Sequence, residues 1–414
     1  MNSKMKDIEL LSPAGNAQKL RTAINFGADA VYMGMCKYSL RKNAGNFDID
    51  ELEEVRKIKA ESGKKLYCTM NIIFSEEQIQ AVKEYLPTLE NSPFDAFIIT
   101  DIGLVPLFKK YLPSKALHLS TQASCINSES ARMYYDMGFE RVILGREASL
   151  DDIKRIKDAV PELELEAFVH GAMCMSYSGR CLLSSYLTGR SANQGDCSHT
   201  CRWNYKLHYA LEEEERKGIY YPIEEDEAGY TTILSSKDLC MIDHLDDLRN
   251  AGLSSLKIEG RMKSIYYVAV VTRAYRKALD NDPDKDIFRE DIFNVSHREF
   301  STGFFYGRDS NDGAINRPTS YGYQREYMYL GTILEDLGNG KYSIDVKNQI
   351  RTNKLVEYLG PDIYSIKDDT FKLVDEDGHE LVKLDHGKKG YLITDKPLKK
   401  GYILRSESDI KTLN

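Results

Sequence analysis

Through its first 280 residues the chain alternates short apolar runs with longer stretches in which apolar positions recur every three or four residues. The short runs are Ile8–Leu11, Ala30–Met35, Lys65–Ile73, Ala96–Thr100, Ala116–Thr121, Arg141–Gly145, Leu163–Val169 and Ser255–Ile258. Between most of them lie helical patterns: Ala17–Phe26, Ile49–Ser62, Ser75–Leu89, Ser128–Met137, Ser149–Ala159, Met241–Asn250 and Ser264–Asp280. A run apolar on both faces marks a strand in a covered parallel sheet, and a period near 3.6 marks a helix lying on that sheet. Eight such repeats predict a TIM-like (β/α)8 barrel in an α/β fold; an open doubly wound sheet would give the same alternation.

One repeat is out of rhythm. After the seventh run, residues 171–240 intervene before the next helical pattern. They hold a stretch rich in Gly, Ser and Asn, then an acidic hairpin-like segment, Ala210–Tyr230. An insertion of this length in a strand-to-helix loop is usually functional, and in a barrel such loops gather at the C-terminal mouth. Residues 281–318 read as a polar connector. From about Tyr321 onward come short alternating strands, with turns at Gly338-Asn339-Gly340, Asp377-Gly378 and Gly387, which predict a small all-β domain. The reading is therefore a barrel domain over 1–318, with the insertion after strand 7 and the connector at its end, and a C-terminal β-barrel domain over 319–414.

Composition changes this picture little. Hydrophobic content of 42% and charged content of 29% are those of an ordinary soluble protein. The start, Met1–Leu11, lacks the layout of a signal peptide, and no apolar run is long enough to cross a bilayer. The expected compartment is the cytoplasm, with no membrane partner. Thiols stay reduced there, so clustered cysteines point to a metal or to catalysis rather than to disulfides. The net charge of −8 argues against a surface that binds polyanions everywhere, but it leaves room for a local basic one.

The cysteines carry the strongest chemical signal. Of eight, four fall at Cys174, Cys181, Cys197 and Cys201, and Cys240 stands where the seventh helix should begin. In a barrel the end of strand seven and the start of helix seven meet at one mouth, so Cys174 and Cys240 could converge. Thiolates are soft ligands suited to iron–sulfur clusters or zinc. The spacing matches neither the paired cysteines usual for zinc nor the ferredoxin run. Cys36, Cys68 and Cys125 lie in or just after apolar strands and read as reduced core residues.

The strand ends bring further polar groups to the mouth: Arg41, Asn71, Gln122, Arg146, His170, and Lys257 with Glu259 and Arg261. Several cations facing one cavity suggest an anionic ligand, because arginine binds carboxylates and phosphates bidentately. For each residue alone, a salt bridge is the alternative. His170 sits directly before the long loop and reads either as an acid–base group or as a satisfied buried histidine. Hydrolase signatures are poor: there is no HExxH and no GxSxG.

At these residues the sequence resembles the U32 family, whose members are called collagenase-like peptidases. The family signature appears as Glu166-Ala-Phe-Val-His170-Gly-Ala-Met-Cys174, followed by SYSGRC and LLS. Further matches are GADAVYMG (27–34), NQGDC, CRW, SKDLC, LKIEGRMKS (256–264) and SHREFSTGF (296–304), and together they span nearly the whole chain. The resemblance implies oxygen-independent hydroxylation: a [4Fe-4S] cluster on cysteines and prephenate, or a similar dicarboxylate, as hydroxyl source. It is most similar to the branch that acts on the wobble uridine of tRNA at C5, which implies tRNA as a partner and admits a paralogous U32 subunit. The family's ligands carry over to Cys174, Cys181, Cys197 and Cys240, with Cys201 as the alternative for one of the last two and zinc as the alternative metal. Arg41, Arg146, Arg180 and Arg261 are candidates to clamp the dicarboxylate, with Asn71 and Gln122 beside them. His170, Glu166, Lys257 and Glu259 are the candidates for catalysis. A collagenase-like peptidase and a non-catalytic, cluster-bearing RNA- or protein-binding partner are the competing functions.

Overall fold

A computed structural model describes residues 8–40, 45–174, 176–177, 181, 183–188, 190, 192, 196–202, 211–212, 220–221, 236–307, 323–408 and 412–413. Strands β1 (Glu9–Ala14), β2 (Ala30–Gly34), β3 (Lys65–Met70), β4 (Ala96–Ile99), β5 (Ala116–Leu119), β6 (Arg141–Ile143) and β7 (Glu164–Ala172) pair in parallel, each with the next. Two short strands, β8 (Leu211–Glu212) and β9 (Tyr220–Tyr221), pair with each other inside the expected hairpin segment. A three-residue strand, β10 (Asp238–Cys240), follows. Next comes β11 (Ser255–Ile258), which pairs with β1 on one side and β7 on the other. That closes eight parallel strands into a barrel, as the alternation predicts, and rules out the open sheet.

The barrel strands are largely apolar runs because both of their faces are covered; all five residues of β2 are buried. The helices read from the 3.6 period form close to their expected bounds. The helix Leu150–Ala159 shows why: Leu150, Ile153 and Ile156 fall on one buried face. Ser149 caps its N-terminus in a reciprocal box with Asp152. A helix over Val105–Tyr111, too short for its period to stand out, fills the gap between β4 and β5.

The chain forms two compact units, and they do not follow a single cut in the sequence. Residues 1–16, 30–262 and 298–321 make the first, which contains the barrel strands. Residues 17–29, 263–297 and 322–414 make the second, in which the helices Ala17–Asn25 and Ile265–Leu279 join the C-terminal sheet. That sheet has eight antiparallel strands. Along its strand Lys341–Val346, Tyr342, Ile344 and Val346 alternate inward onto a core that includes Leu330, Val356, Leu373, Leu392 and Leu404.

Candidate active site at the barrel mouth

The two ends of the barrel use charge differently. At the floor, where the strands begin, Arg141 opens β6 and is buried among carboxylates. It bonds Glu9 at 2.6 Å, Glu164 at 2.7 Å and Glu166 at 3.0 Å. Lys257 Nζ donates to the other Glu166 oxygen at 2.7 Å and lies 4.3 Å from the centre of the Tyr32 ring. Tyr67 and Ser255 donate to Glu9 at 2.7 and 2.8 Å. Burial pulls the Lys257 ammonium below its ordinary pKa even though Glu166 opposes the shift. Burial, reinforced by Arg141 and Lys257, holds His118 neutral well below the usual imidazole range. Glu166 and Lys257, candidates for catalysis by sequence, are thus each other's partners inside the barrel.

The strand ends form the mouth. Arg146 follows β6 and stacks on Phe168, its guanidinium 4.1 Å from the ring centre. Its Nη2 reaches Glu259 at a long 3.4 Å, and its buried Nε has no hydrogen-bond partner among the described residues. It lines a cleft with Gly145, Phe168, Met173, Leu239 and Phe305, an apolar wall carrying one cation. Arg261, also buried, donates to Ser39 and Thr69, both at 2.7 Å. Gly34 makes that approach possible: a Cβ there would stand 2.3 Å from Arg261 Nη1. Asn71 accepts from the Leu40 amide, and Gln122 accepts from Thr100 and Ser120. These contacts bring Asn71, Gln122, Arg146, Glu259 and Arg261 to the strand ends, as their positions predict. Arg41 and Arg180 lie outside the described residues.

His170 is buried in β7, its ring 5.4 Å from that of Phe300, and its carbonyl accepts from the Glu259 amide at 2.8 Å. Around it β7 is irregular. The pairing with β11 slips at Val169, whose carbonyl turns instead to the Met241 amide, and Gly171 takes a φ of 103° that favours glycine. These features let the end of β7 leave the barrel and take β10 as an antiparallel partner, with Cys240 opposite His170 and Asp238 opposite Ala172. A two-residue strand, β12 (Phe300–Ser301), flanks β10 on its other side. Between them Arg298 donates to Asp238 at 2.6 and 3.0 Å, both side chains buried.

All five candidate cysteines are half-buried. Cys174 follows Met173, whose carbonyl accepts from Ser236; it therefore stands at the end of the β7–β10 ribbon opposite to Cys240. A ligand set containing both requires the chain beyond Met173 to turn back over the ribbon. Cys181, Cys197 and Cys201 belong to a segment laced by hydroxyls: Ser198 bonds Ser184 at 2.8 Å and Thr188 at 3.1 Å, and Arg190 holds Asp196. Among the described residues no three of these sulfurs lie within 4.8 Å of one another. Tetrahedral zinc needs sulfurs about 3.8 Å apart. Soft, half-buried thiolates are the donor type that either zinc or a four-iron cluster takes. By contrast Cys68 and Cys125 are buried and their thiols raised, Cys125 to about 11, as core residues should be. Cys36 departs from that expectation: it is exposed, its Sγ near the Asn46 carbonyl.

Sequence reasoning passed over Arg141, Asp238 and Arg298. The available signal was a charge inside or beside a short apolar run, as in RVILG and SKDLC.

The pattern defining Peptidase family U32 matches residues 15–314, and that of the Peptidase family U32 C-terminal domain matches residues 325–405. The chain is 35% identical over 389 residues to tRNA hydroxylation protein P1 of Bacillus subtilis, covering 92% of this chain and 90% of that one. It is 37% identical over 273 residues to a 23S rRNA 5-hydroxycytidine synthase of Escherichia coli, covering 66% of this chain and 39% of the other. It is 27% identical over 411 residues to a collagenase of Porphyromonas gingivalis, covering 94% of each. Matched across both parts of its sequence, the chain belongs to peptidase family U32.

Proposed function

We propose that this protein modifies tRNA, hydroxylating the wobble uridine at C5 without molecular oxygen. The observation that carries the reading is the 35% identity to tRNA hydroxylation protein P1, which extends over nine-tenths of both chains. The name of the rRNA relative, a 5-hydroxycytidine synthase, points to the same position on a pyrimidine ring. A [4Fe-4S] cluster would be held by Cys174, Cys181, Cys197 and Cys240, with Cys201 as the alternative for one of the last two. When bound, such a cluster supplies one-electron transfer. The chain's own residues do the rest. Arg146, with its buried Nε and long contact to Glu259, receives one carboxylate of prephenate or a similar dicarboxylate hydroxyl donor. The apolar wall of Phe168, Met173 and Phe305 excludes water from the donor's ring. Arg261, fixed by Ser39 and Thr69, adds positive potential at the same mouth.

Nucleoside analysis of tRNA from a strain lacking this protein tests the reading. Loss of 5-hydroxyuridine derivatives, restored by the wild-type gene, is expected; an unchanged profile would sink it. The collagenase relative keeps one alternative in view, a peptidase. That function requires peptide cleavage by purified protein that survives removal of the five cysteines.

A further inference from the structure

A chain of net charge −8 that acts on tRNA needs a place where positive charge is concentrated. The C-terminal sheet domain contains one. A two-stranded ribbon pairs Ile350 with Leu384 and Arg351 with Lys383. Ile350 and Leu384 are buried, so the period of two turns Arg351 and Lys383 outward together. Like charges directly opposite on a ribbon destabilise it, and here the opposition is relieved in part by Asp385, which lies 3.3 Å from Lys383 and bonds Gln349. Lys354, Lys388 and Lys389 of the same two segments are exposed, so residues 350–355 and 382–389 carry five cations and one carboxylate, with Lys389 standing 3.7 Å from Glu376 of a neighbouring turn. Val382, 79% exposed, and Leu355, 45% exposed, are the exposed apolar residues of the same two segments.

We infer that this ribbon is a docking surface for the sugar–phosphate backbone of tRNA. The inference rests on the tRNA reading proposed above and gives it a location. Phosphate contacts of this kind position a nucleic acid without reading its sequence, which suits a surface of flexible lysines rather than a built pocket. The excess of cations over carboxylates in these two segments favours a polyanion such as RNA over a protein partner. A basic face can also meet an acidic polypeptide, however, and the test must separate the two.

The experiment measures binding of a fluorescein-labelled tRNA transcript to the full chain by anisotropy, across a salt series. The variant Arg351→Ala/Lys383→Ala/Lys388→Ala should bind about tenfold more weakly at moderate salt. Its slope of log affinity against log salt should fall by about three, one for each cation removed. The charge-preserving variant Arg351→Lys/Lys383→Arg should bind as wild type does, which separates loss of charge from loss of fold. Wild-type affinity and slope in the triple alanine variant would overturn the inference, as would failure of the wild-type chain to bind tRNA. Displacement of tRNA by polyglutamate at equal charge concentration would also overturn it, in favour of an acidic protein partner. Because binding is read apart from nucleoside content, a variant that loses tRNA while deletion leaves 5-hydroxyuridine unchanged would retain this surface and reject the hydroxylation reading.

Discussion

At the floor of the barrel Arg141 has three carboxylates within 3.0 Å, whereas at the mouth Arg146 has one, at 3.4 Å. Both are arginines in or just after the same short strand. The floor arginine is saturated: Glu9 and Glu166, two of the charges it faces, have further partners in Tyr67, Ser255 and Lys257, and the network joins β1, β6, β7 and β11 where they begin. Among the described residues the mouth arginine keeps a buried donor unspent, and it rests on an aromatic ring instead of inside an ion cage. Depth along the strand, more than residue type, separates groups that hold the barrel together from groups left able to receive a ligand.

The largest effect should come from breaking the floor. Arg141→Met leaves Glu9, Glu164 and Glu166 facing one another with Lys257 alone to compensate, and should cost about 3–5 kcal/mol in urea unfolding. The folded fraction should still bind iron; loss of iron from folded protein would break the distinction between floor and mouth. The mouth should show the reverse. Cys197→Ala should lose most of its iron and its hydroxylation, while the metal-free protein unfolds within about 1 kcal/mol of wild type. Arg146→Lys keeps the charge but loses the fork. It should raise KM for the carboxylate donor about tenfold or more, the worth of one charged hydrogen bond, with stability nearly unchanged.

The smallest effect is a pH slope. Burial keeps His118 neutral in the fold, with its pKa below the usual 6.5, so the unfolded chain binds the extra proton. The stability tied to neutral His118 is complete above pH 6.5 and is lost as pH falls below it. His118→Leu should flatten that part of the profile in urea midpoints compared at pH 7.5 and 5.5, and an unchanged slope would place the titrating group elsewhere.

The barrel was legible in the sequence because eight strands buried on both faces leave eight short, mostly apolar runs. The candidate residues at the mouth were legible for a related reason: Gln122, Arg146 and Arg261 each follow such a run, and Asn71 lies near the end of one. What could not be read was depth. Lys257, expected with the strand ends at the mouth, instead lies with Glu166 near the floor, a placement that depends on registers such as Glu166 with Ser255 and Lys257 with Phe168, which join residues far apart in the chain. The strand β10 was equally hidden. Three residues preceded by a lysine carry no usable period, and its stability comes from Arg298, 60 positions away. The second compact unit taking in the helix Ala17–Asn25 from the start of the chain has the same origin, a long-range contact without local trace.

The central claim is that the cysteines at the mouth hold a cluster while the floor holds the fold. Iron and acid-labile sulfide, measured on anaerobically purified wild type, Cys240→Ala and Arg141→Met, test it most directly. About four of each per chain are predicted for wild type and for folded Arg141→Met, with a clear loss in Cys240→Ala. One equivalent of zinc, or full iron and sulfide in Cys240→Ala with loss in Arg141→Met, would contradict it.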